Sequence, residues 1–450
     1  MNGQQKLFNR CTASQILVMG FAGTILIGAL LLSLPISTED GQSVSFIDAL
    51  FTATSAVCVT GLVVVNTAAT YNTFGEGVIL TLIQVGGLGF MSFATLIAVL
   101  LRKKISVKER IVIQESFGHH GMGGMVRLVL NVVVITFIIE GIGAFLLALR
   151  WVPMYGWKTG IYYAIFHSVS AFNNAGFDLF GGKDRFVSLM GFVGDPLINF
   201  TVAALIILGG IGFIVIVELY QYRWRKRMSL HTKLVLSVTG ILLAAGTLLI
   251  LLIEWSNPKT LGSQPWPVKM MAAAFQAVTP RTAGYNTIDM AGMYPATQFL
   301  MILLMVIGAS PSSTGGGIKT TTFAAIILAV WGMIRGHQDC VTYKRRIPHE
   351  QVYRALTVTV AALTLIITVT MILTITEKTD VLMALFETSS AFGTVGLTLG
   401  LTPHLSVIGK LLITFTMFAG RVGPLTIAIA VASRRDKPPY RHPEEQPLVG

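Results

Sequence analysis

The chain is 450 residues long; 53% are hydrophobic and only 12% are Asp, Glu, Lys or Arg, about half the charged share of a soluble domain. Length alone would allow about three soluble domains, but a mean hydropathy of +0.71 and long uncharged runs exclude that organisation. The net charge of +12, from 33 basic and 21 acidic residues, would suit nucleic acid only if the charges formed one surface, and they do not.

Six runs contain no charged residue: 11–38, 77–101, 196–217, 234–253, 290–318 and 355–376. Each is long enough to cross ~30 Å of hydrocarbon at ~1.5 Å per residue. The expected fold class is therefore an all-α polytopic membrane protein, since a barrel would show ~10-residue alternating segments instead. Lys6 and Arg10 ahead of the first run resemble a signal peptide. That run is too long for a signal sequence and no small-residue cleavage site follows, so it reads as a retained first helix.

Basic residues collect in alternate loops. One holds Arg102, Lys103, Lys104, Lys108, Arg110 and Arg127; the next Arg223, Arg225, Lys226, Arg227 and Lys233; the third Arg335, Lys344, Arg345, Arg346 and Arg354. The tail adds Arg434, Arg435, Lys437 and Arg441. The positive-inside rule then places both termini in the cytoplasm. These clusters suit anionic membrane lipids or a cytoplasmic partner, and nucleic acid is not expected. Cys11, Cys58 and Cys340 are too few and too separated for a disulfide or zinc framework.

In chain order, one pattern recurs four times: FTATSAVCVTG at 51–61, FHSVSAFNNAG at 166–176, FQAVTPRTAG at 275–284 and FETSSAFGTVG at 386–396. Each opens on Phe, carries a hydroxyl four residues on, and ends on Gly; the third is one residue shorter. The spacing of about 110 residues marks a repeat covering nearly the whole chain. It divides the chain into pore repeats at 1–110, 111–228, 229–348 and 349–450, the last with a cytoplasmic tail. The apolar part of each segment, ~12–14 residues, is too short to cross a bilayer. Each unit therefore reads as helix, re-entrant half-helix with ascending loop, helix: eight transmembrane helices and four re-entrant pore loops.

Irregular backbone at membrane depth must be buried in protein or line a water-filled cavity. Four such loops meet most economically on one pseudo-fourfold axis. Gly61, Gly176, Gly284 and Gly396 permit backbone conformations that bring carbonyls close to an ion, with Thr60, Asn174, Thr282 and Thr394 able to add oxygens. No carboxylate lies between the hydroxyl and the Gly of any loop. That pattern favours a carbonyl-lined site for a dehydrated monovalent cation over an Asp/Glu ring. The candidate filter is Val59–Thr60–Gly61, Asn174–Ala175–Gly176, Thr282–Ala283–Gly284 and Thr394–Val395–Gly396.

The helix after each loop is rich in small residues: GGLGF at 86–90, GGIGF at 209–213 and AGRVGP at 419–424. In the first two, close helix packing is the leading reading. The third unit instead carries GASPSSTGGGIKTTT at 308–322, which cannot form a stable spanning helix. Ala309, Ser310, Pro311, Ser312, Ser313, Thr314, Gly315, Gly316, Gly317 and Lys319 are thus a candidate gate, because broken helices mark ion paths. A phosphate-binding loop is rejected, as Ile318 separates Gly317 from Lys319 and no strand precedes. Arg421 stands alone in the run 411–433, too deep to snorkel out, and reads as an electrostatic barrier paired with carbonyls or a carboxylate.

His167 and Glu387 are expected to cap or pack, and Glu140 to lie toward the outer end of its helix. His119 and His120 show no metal-ligand partner. An alternating-access symporter is one alternative; an intramembrane hydrolase using Ser310, Ser312 or Ser313 with Lys319 is another. No catalytic arrangement is evident, so an enzyme is not expected.

The four units, the broken third helix and Arg421 resemble the Trk/Ktr/HKT superfamily of potassium transporters, and with eight spanning helices most of all the bacterial KtrB-type membrane subunits. The resemblance implies potassium uptake through a filter at the four glycines and a gate at 309–319 beside Arg421. It implies a bacterial cell-membrane location, homodimers and a separate cytosolic nucleotide-binding ring that carries the ATP or ADP. In that family uptake is often sodium-dependent. Some plant relatives with Ser at the first filter position favour sodium; Gly61 favours potassium.

Overall fold

The computed structural model describes residues 12–100, 125–181, 186–337 and 339–431. The basic loop at 102–110, Cys11, His119, His120 and the tail from Arg434 lie outside the described residues.

Among the described residues, and apart from one four-residue turn of helix at Thr67–Thr70, the α-helices fall into four sets of four. The first is α1 (Ala13–Ser33), α2 (Phe46–Val57), α3 (Thr73–Leu88) and α4 (Phe90–Leu100); the second is α5 (Met125–Tyr155), α6 (Trp157–Phe172), α7 (Pro196–Gly210) and α8 (Phe213–Arg225). The third is α9 (Leu230–Glu254), α10 (Trp266–Val278), α11 (Pro295–Val306) and α12 (Thr320–Ile334); the fourth is α13 (His349–Thr376), α14 (Val381–Gly393), α15 (Val407–Val422) and α16 (Pro424–Val431).

The first helix of each set is long, and all four are apolar enough to cross a membrane. Their outward faces carry exposed Leu26, Ile27, Phe137, Ile241, Leu252, Ile367 and Met371, the apolar surface a bilayer would cover. Starts are fixed locally: Thr12 and Gln15 form a capping box on α1, and Ser229 caps α9. Trp157, Trp255, Trp266, Tyr220, Trp224 and Trp331, at or near helix ends, are exposed, the residue types favoured in interfacial aromatic belts.

The second helix of each set is short and enclosed. Every residue of α2 from Phe51 to Val57, and of α14 from Phe386 to Gly393, is buried. A helix buried on all sides is a core element, and Phe51, Phe166, Phe275 and Phe386, which open the four repeats, are its buried anchors.

The remaining two helices of each set form one broken rod. Helices α7 and α8 meet at 98°, and α15 and α16 at 92°. The turns sit at Gly89, Gly212 and Gly423, with φ of +83°, +96° and +93°, a region costly for any residue with a Cβ. In units one and two, where packing was the expectation, packing and a break occur together. Gly86, Gly209 and Gly420 do the packing, since a Cβ there would collide with the carbonyls of Val57, Phe172 and Phe392 at the ends of the short helices.

Two features were not anticipated. A hairpin pairs β1 (Cys340–Thr342) with β2 (Arg345–Ile347), turning through Tyr343 and Lys344, both with positive φ. Such turns usually carry Asn-Gly, so Tyr-Lys gave no signal. Glu140 also lies in the middle of α5 rather than toward its outer end, because the helix runs on to Tyr155.

Candidate functional site

The C-terminal ends of α2, α6, α10 and α14 converge, and the loops that follow have a common backbone. In each, the residue two before the glycine and the glycine itself have positive φ: Val59 and Gly61, Asn174 and Gly176, Thr282 and Gly284, Thr394 and Gly396. The loop N–H groups turn back onto the short helix. Thr60 N–H donates to Ser55 O (2.8 Å), Ala175 N–H to Ser170 O (2.7 Å) and Val395 N–H to Ser390 O (2.8 Å). In the third loop, one residue shorter, Ala283 N–H reaches Thr279 O at 3.0 Å.

The hydroxyl in each repeat finishes this arrangement. Ser55 Oγ accepts from Gly61 N–H (3.0 Å) and Ser390 Oγ from Gly396 N–H (3.1 Å). Ser170 and Thr279 instead donate to the carbonyls of Phe177 and Tyr285, the residues after Gly176 and Gly284. With donors turned inward to the helix, the loops present carbonyls to one another.

The four glycines form a closed ring. A Cβ on Gly61 would lie 2.5 Å from Ala175 O and 3.1 Å from Gly176 Cα; one on Gly176, 2.7 Å from Ala283 O and 3.0 Å from Gly284 Cα. One on Gly284 would lie 2.6 Å from Val395 O and 3.4 Å from Gly396 Cα, and one on Gly396 would strike Thr60 O, 3.0 Å from Gly61 Cα. Each glycine thus abuts the carbonyl preceding the next, and the circuit returns to its start. The helix C-termini around it add partial negative charge.

Two of the side-chain oxygens expected to join them, those of Thr282 and Thr394, are engaged elsewhere, while Thr60 Oγ1 and Asn174 Oδ1 are buried with no hydrogen-bond partner among the described residues. Asn174 Nδ2 donates to Thr282 Oγ1 (3.1 Å) and Arg281 O (3.2 Å), and Thr394 Oγ1 accepts from Gly316 N–H (2.9 Å). His167 and Glu387, at the same repeat position, brace the ascending segments. His167 Nε2 takes the N–H of Leu179 (3.2 Å), and Glu387 takes Thr398, Thr402 (2.7 Å) and the N–H of Leu401 (3.3 Å). Glu140 bonds across helices to Asn173 (2.9 Å) and Gln84 (3.3 Å).

The segment between α11 and α12 crosses directly beneath the ring. It is pinned at its base, where Gly308 N–H donates to Ile318 O (2.9 Å), and its contacts reach every unit. Thr314 N–H donates to Gly209 O (3.2 Å) and Ser310 N–H to Gly210 O (3.0 Å) in unit two. Gly317 N–H donates to Gly420 O (3.3 Å) in unit four, while Gly315 packs against Thr282 in its own unit. Arg421 makes the connection to unit one, donating to Thr314 O in the loop and to Gly86 O. Lys319 Nζ donates to the adjacent loop carbonyl, Gly315 O, at 2.6 Å. Two charge-assisted bonds on neighbouring carbonyls hold this segment more firmly than neutral ones would. Ser310 Oγ accepts from Thr320 Oγ1 (2.9 Å), and Lys319 is committed to the loop backbone. Beyond the loop lies a cavity of about 220 Å³ lined by Gly89, Ser92, Phe213, Lys319 and Arg421.

Sequence reasoning missed Gly86, Gly209 and Gly420, whose carbonyls receive the loop and Arg421. Nothing in a glycine's identity reveals what its carbonyl accepts.

Residues 4–439 match the family described as TrkH, cation transport protein. The chain is 46% identical over 441 residues to the Ktr system potassium uptake protein B of Bacillus subtilis, covering 98% of this chain and 97% of that one. It is 42% identical over 453 residues to the potassium/sodium uptake protein NtpJ of Enterococcus hirae, covering 99% of each. The crystal structure of the potassium transporter TrkH from Vibrio parahaemolyticus has the same fold, with a TM-score of 0.69 at 19% identity over 92% of this chain and 85% of that one. These relatives are transport proteins, not enzymes, and the chain belongs to the TrkH family of cation transport proteins.

Proposed function

We propose that this chain is the ion-translocating subunit of a potassium uptake system. The observation that carries the reading is the closed ring of Gly61, Gly176, Gly284 and Gly396, each against the carbonyl preceding the next. Carbonyl rings with helix C-termini behind them replace the hydration shell of a monovalent cation without a fixed negative charge to trap it. The carbonyls of Val59, Thr60, Asn174, Ala175, Thr282, Ala283, Thr394 and Val395 are the ligands, and the metal ion is the cargo. Potassium is favoured over sodium by the names of the relatives, with sodium the coupling or competing ion.

In this reading α1, α5, α9 and α13 cross the membrane once each, and each broken rod crosses once more. The four short helices with their loops are re-entrant. The basic segments around 223–233 and 335–354 face the cytoplasm with both termini, and the chain pairs with a second copy. The segment 309–319 is the gate, and Arg421 is both its latch and a fixed positive charge on the path. Control comes from a separate cytosolic nucleotide-binding ring docked on the basic loops, so ATP and ADP act through that partner.

The test is growth of a potassium-uptake-deficient bacterial strain on limiting potassium, with rubidium uptake into vesicles holding the purified chain. Growth and uptake are expected for the wild-type chain. Failure of both, with the protein in the membrane, overturns the reading.

A further inference from the structure

A second, larger cavity of about 1060 Å³ adjoins the one beneath the gate, sharing Leu17 and Thr426 with it. It lies among α1, α9, α12, α13 and α16, and Pro311 of the gate segment forms part of its wall. Its composition is two-sided. Leu17, Leu234, Val358, Leu425 and Ile429 make an apolar wall, while Arg346, Arg354 and His231 line it as well. Arg346 pairs with Asp339 at 2.8 Å. Arg354 has no ion pair among the described residues, and Nε2 of His231 is buried with no hydrogen-bond partner there. The apolar wall continues onto exposed surface, where Ile429 is 51% exposed.

In the proposed topology this is the cytoplasmic exit of a cation path, and a bare exit lined by arginines would repel its cargo. We propose that the cavity holds an anionic phospholipid, its phosphate on Arg354 and Arg346 and an acyl chain along the wall of Leu234, Val358 and Ile429, and that this lipid neutralises the exit. A soluble anion would satisfy the arginines but leave the apolar wall uncovered. A phospholipid fits both halves, and the wall opens onto the surface where lipid lies. Basic side chains at a membrane surface attract anionic headgroups in this way. The proposal rests on the potassium-uptake reading for its effect on flux, but not for binding.

Arg346 is already paired with Asp339, so one uncompensated charge, Arg354, about one Debye length, ~10 Å, from an aqueous path would lower the local cation concentration about 1.3-fold. The full chain would be reconstituted in phosphatidylcholine vesicles with and without phosphatidylglycerol. Native mass spectrometry reads retained lipid, and rubidium uptake reads flux. The wild-type chain is expected to retain phosphatidylglycerol and to take up rubidium about 1.3-fold faster with it. The double variant Arg346→Gln/Arg354→Gln should lose the retained lipid and show the faster rate in either membrane. Arg354→Gln alone, a milder exposed change, should retain less lipid and already show the faster rate without phosphatidylglycerol, and it guards against misfolding of the double variant.

Equal retention by wild type and variant overturns the proposal. So does an equal rise in uptake for both, which would be a general surface-potential effect. So does a rise produced by inorganic phosphate without phosphatidylglycerol, which would assign the site to a soluble anion. So does retention that appears only after removal of residues 432–450, which would show the chain's own tail in the cavity. Retained lipid with no uptake in any membrane would instead count against the transport reading and leave the site standing.

Discussion

Replacing Gly284 by alanine tests the ring at its third glycine. The new Cβ would lie 2.6 Å from Val395 O and 3.2 Å from Gly176 Cα, against ~3.5 Å for ordinary contact. The Val395 carbonyl must therefore retreat by most of an ångström, or the Gly284 backbone must. The residue must also hold φ near +80°, which costs about 1–2 kcal/mol once a Cβ is present. Overpacking adds about 1–3 kcal/mol. Part of that total appears as lost stability and part as a displaced ion ligand. If only ~1.4 kcal/mol falls on the ion site, potassium affinity drops about tenfold. Concentration-dependent rubidium uptake in vesicles, with sodium as competitor, reads both affinity and preference. Gly141→Ala on α5 is the control, because its Cβ would meet nothing within 4 Å. A folded Gly284→Ala chain with wild-type half-saturation and wild-type potassium-over-sodium preference would refute the ring as the selecting element.

Ser390→Ala removes the acceptor of Gly396 N–H, worth about 1 kcal/mol; thermal unfolding should fall by a few degrees and potassium affinity should weaken, and no change in either would dismiss the hydroxyl's role. Deleting residues 312–316 should raise rubidium flux at equal protein while leaving the potassium-over-sodium preference alone. Arg421→Ala should raise flux or leak, whereas Arg421→Lys, unable to bridge Thr314 O and Gly86 O together, should fall between; wild-type flux in a folded Arg421→Ala chain would make the arginine purely architectural. The purified chain alone should transport weakly and ignore ATP and ADP, with a nucleotide response appearing when the cytosolic subunit is added; a response from the lone chain would place the nucleotide site here.

What the sequence reveals depends on whether a feature repeats. Phe51, Phe166, Phe275 and Phe386 stand at equivalent places because four equivalent helices need the same buried anchor. The hydroxyls at Ser55, Ser170, Thr279 and Ser390 recur because each loop must tie its first N–H groups back. Those constraints are periodic, so comparison of the chain with itself exposes them. The breaks at Gly89 and Gly212 were harder to see. GGLGF and GGIGF look like packing motifs, and two of their glycines do pack; only backbone torsion distinguishes the third. The partner of Thr394 was hidden for a different reason. A polar side chain near a carbonyl ring has several partners in reach, and here Thr394 Oγ1 takes the N–H of Gly316. The Tyr343–Lys344 hairpin offered no local signature.

In the proposed reading, the same register assigns selection and gating to different parts of the repeat. Gly86, Gly209 and Gly420 are equivalent, each packed on the end of its unit's short helix. The next residue is Gly87 in unit one and Gly210 in unit two, but Arg421 in unit four. A ring that dehydrates an ion needs four matching carbonyls, and symmetry supplies them. A plug on the axis cannot be fourfold, because only one segment of chain can occupy the centre. Unit three provides that segment, with residues 307–319 between its two half-rods where unit one has only Gly89 and unit four only Gly423. Unit four provides the long side chain that fastens it, reaching across to Gly86 O in unit one. The two departures from the repeat meet at Thr314 O. If 309–319 is the gate, opening the path would require release of a small set of bonds in one place, while the ring above, held by its own hydroxyls and helix ends, need not move. That separation is the physical basis for expecting the deletion at 312–316 to change flux and spare selectivity.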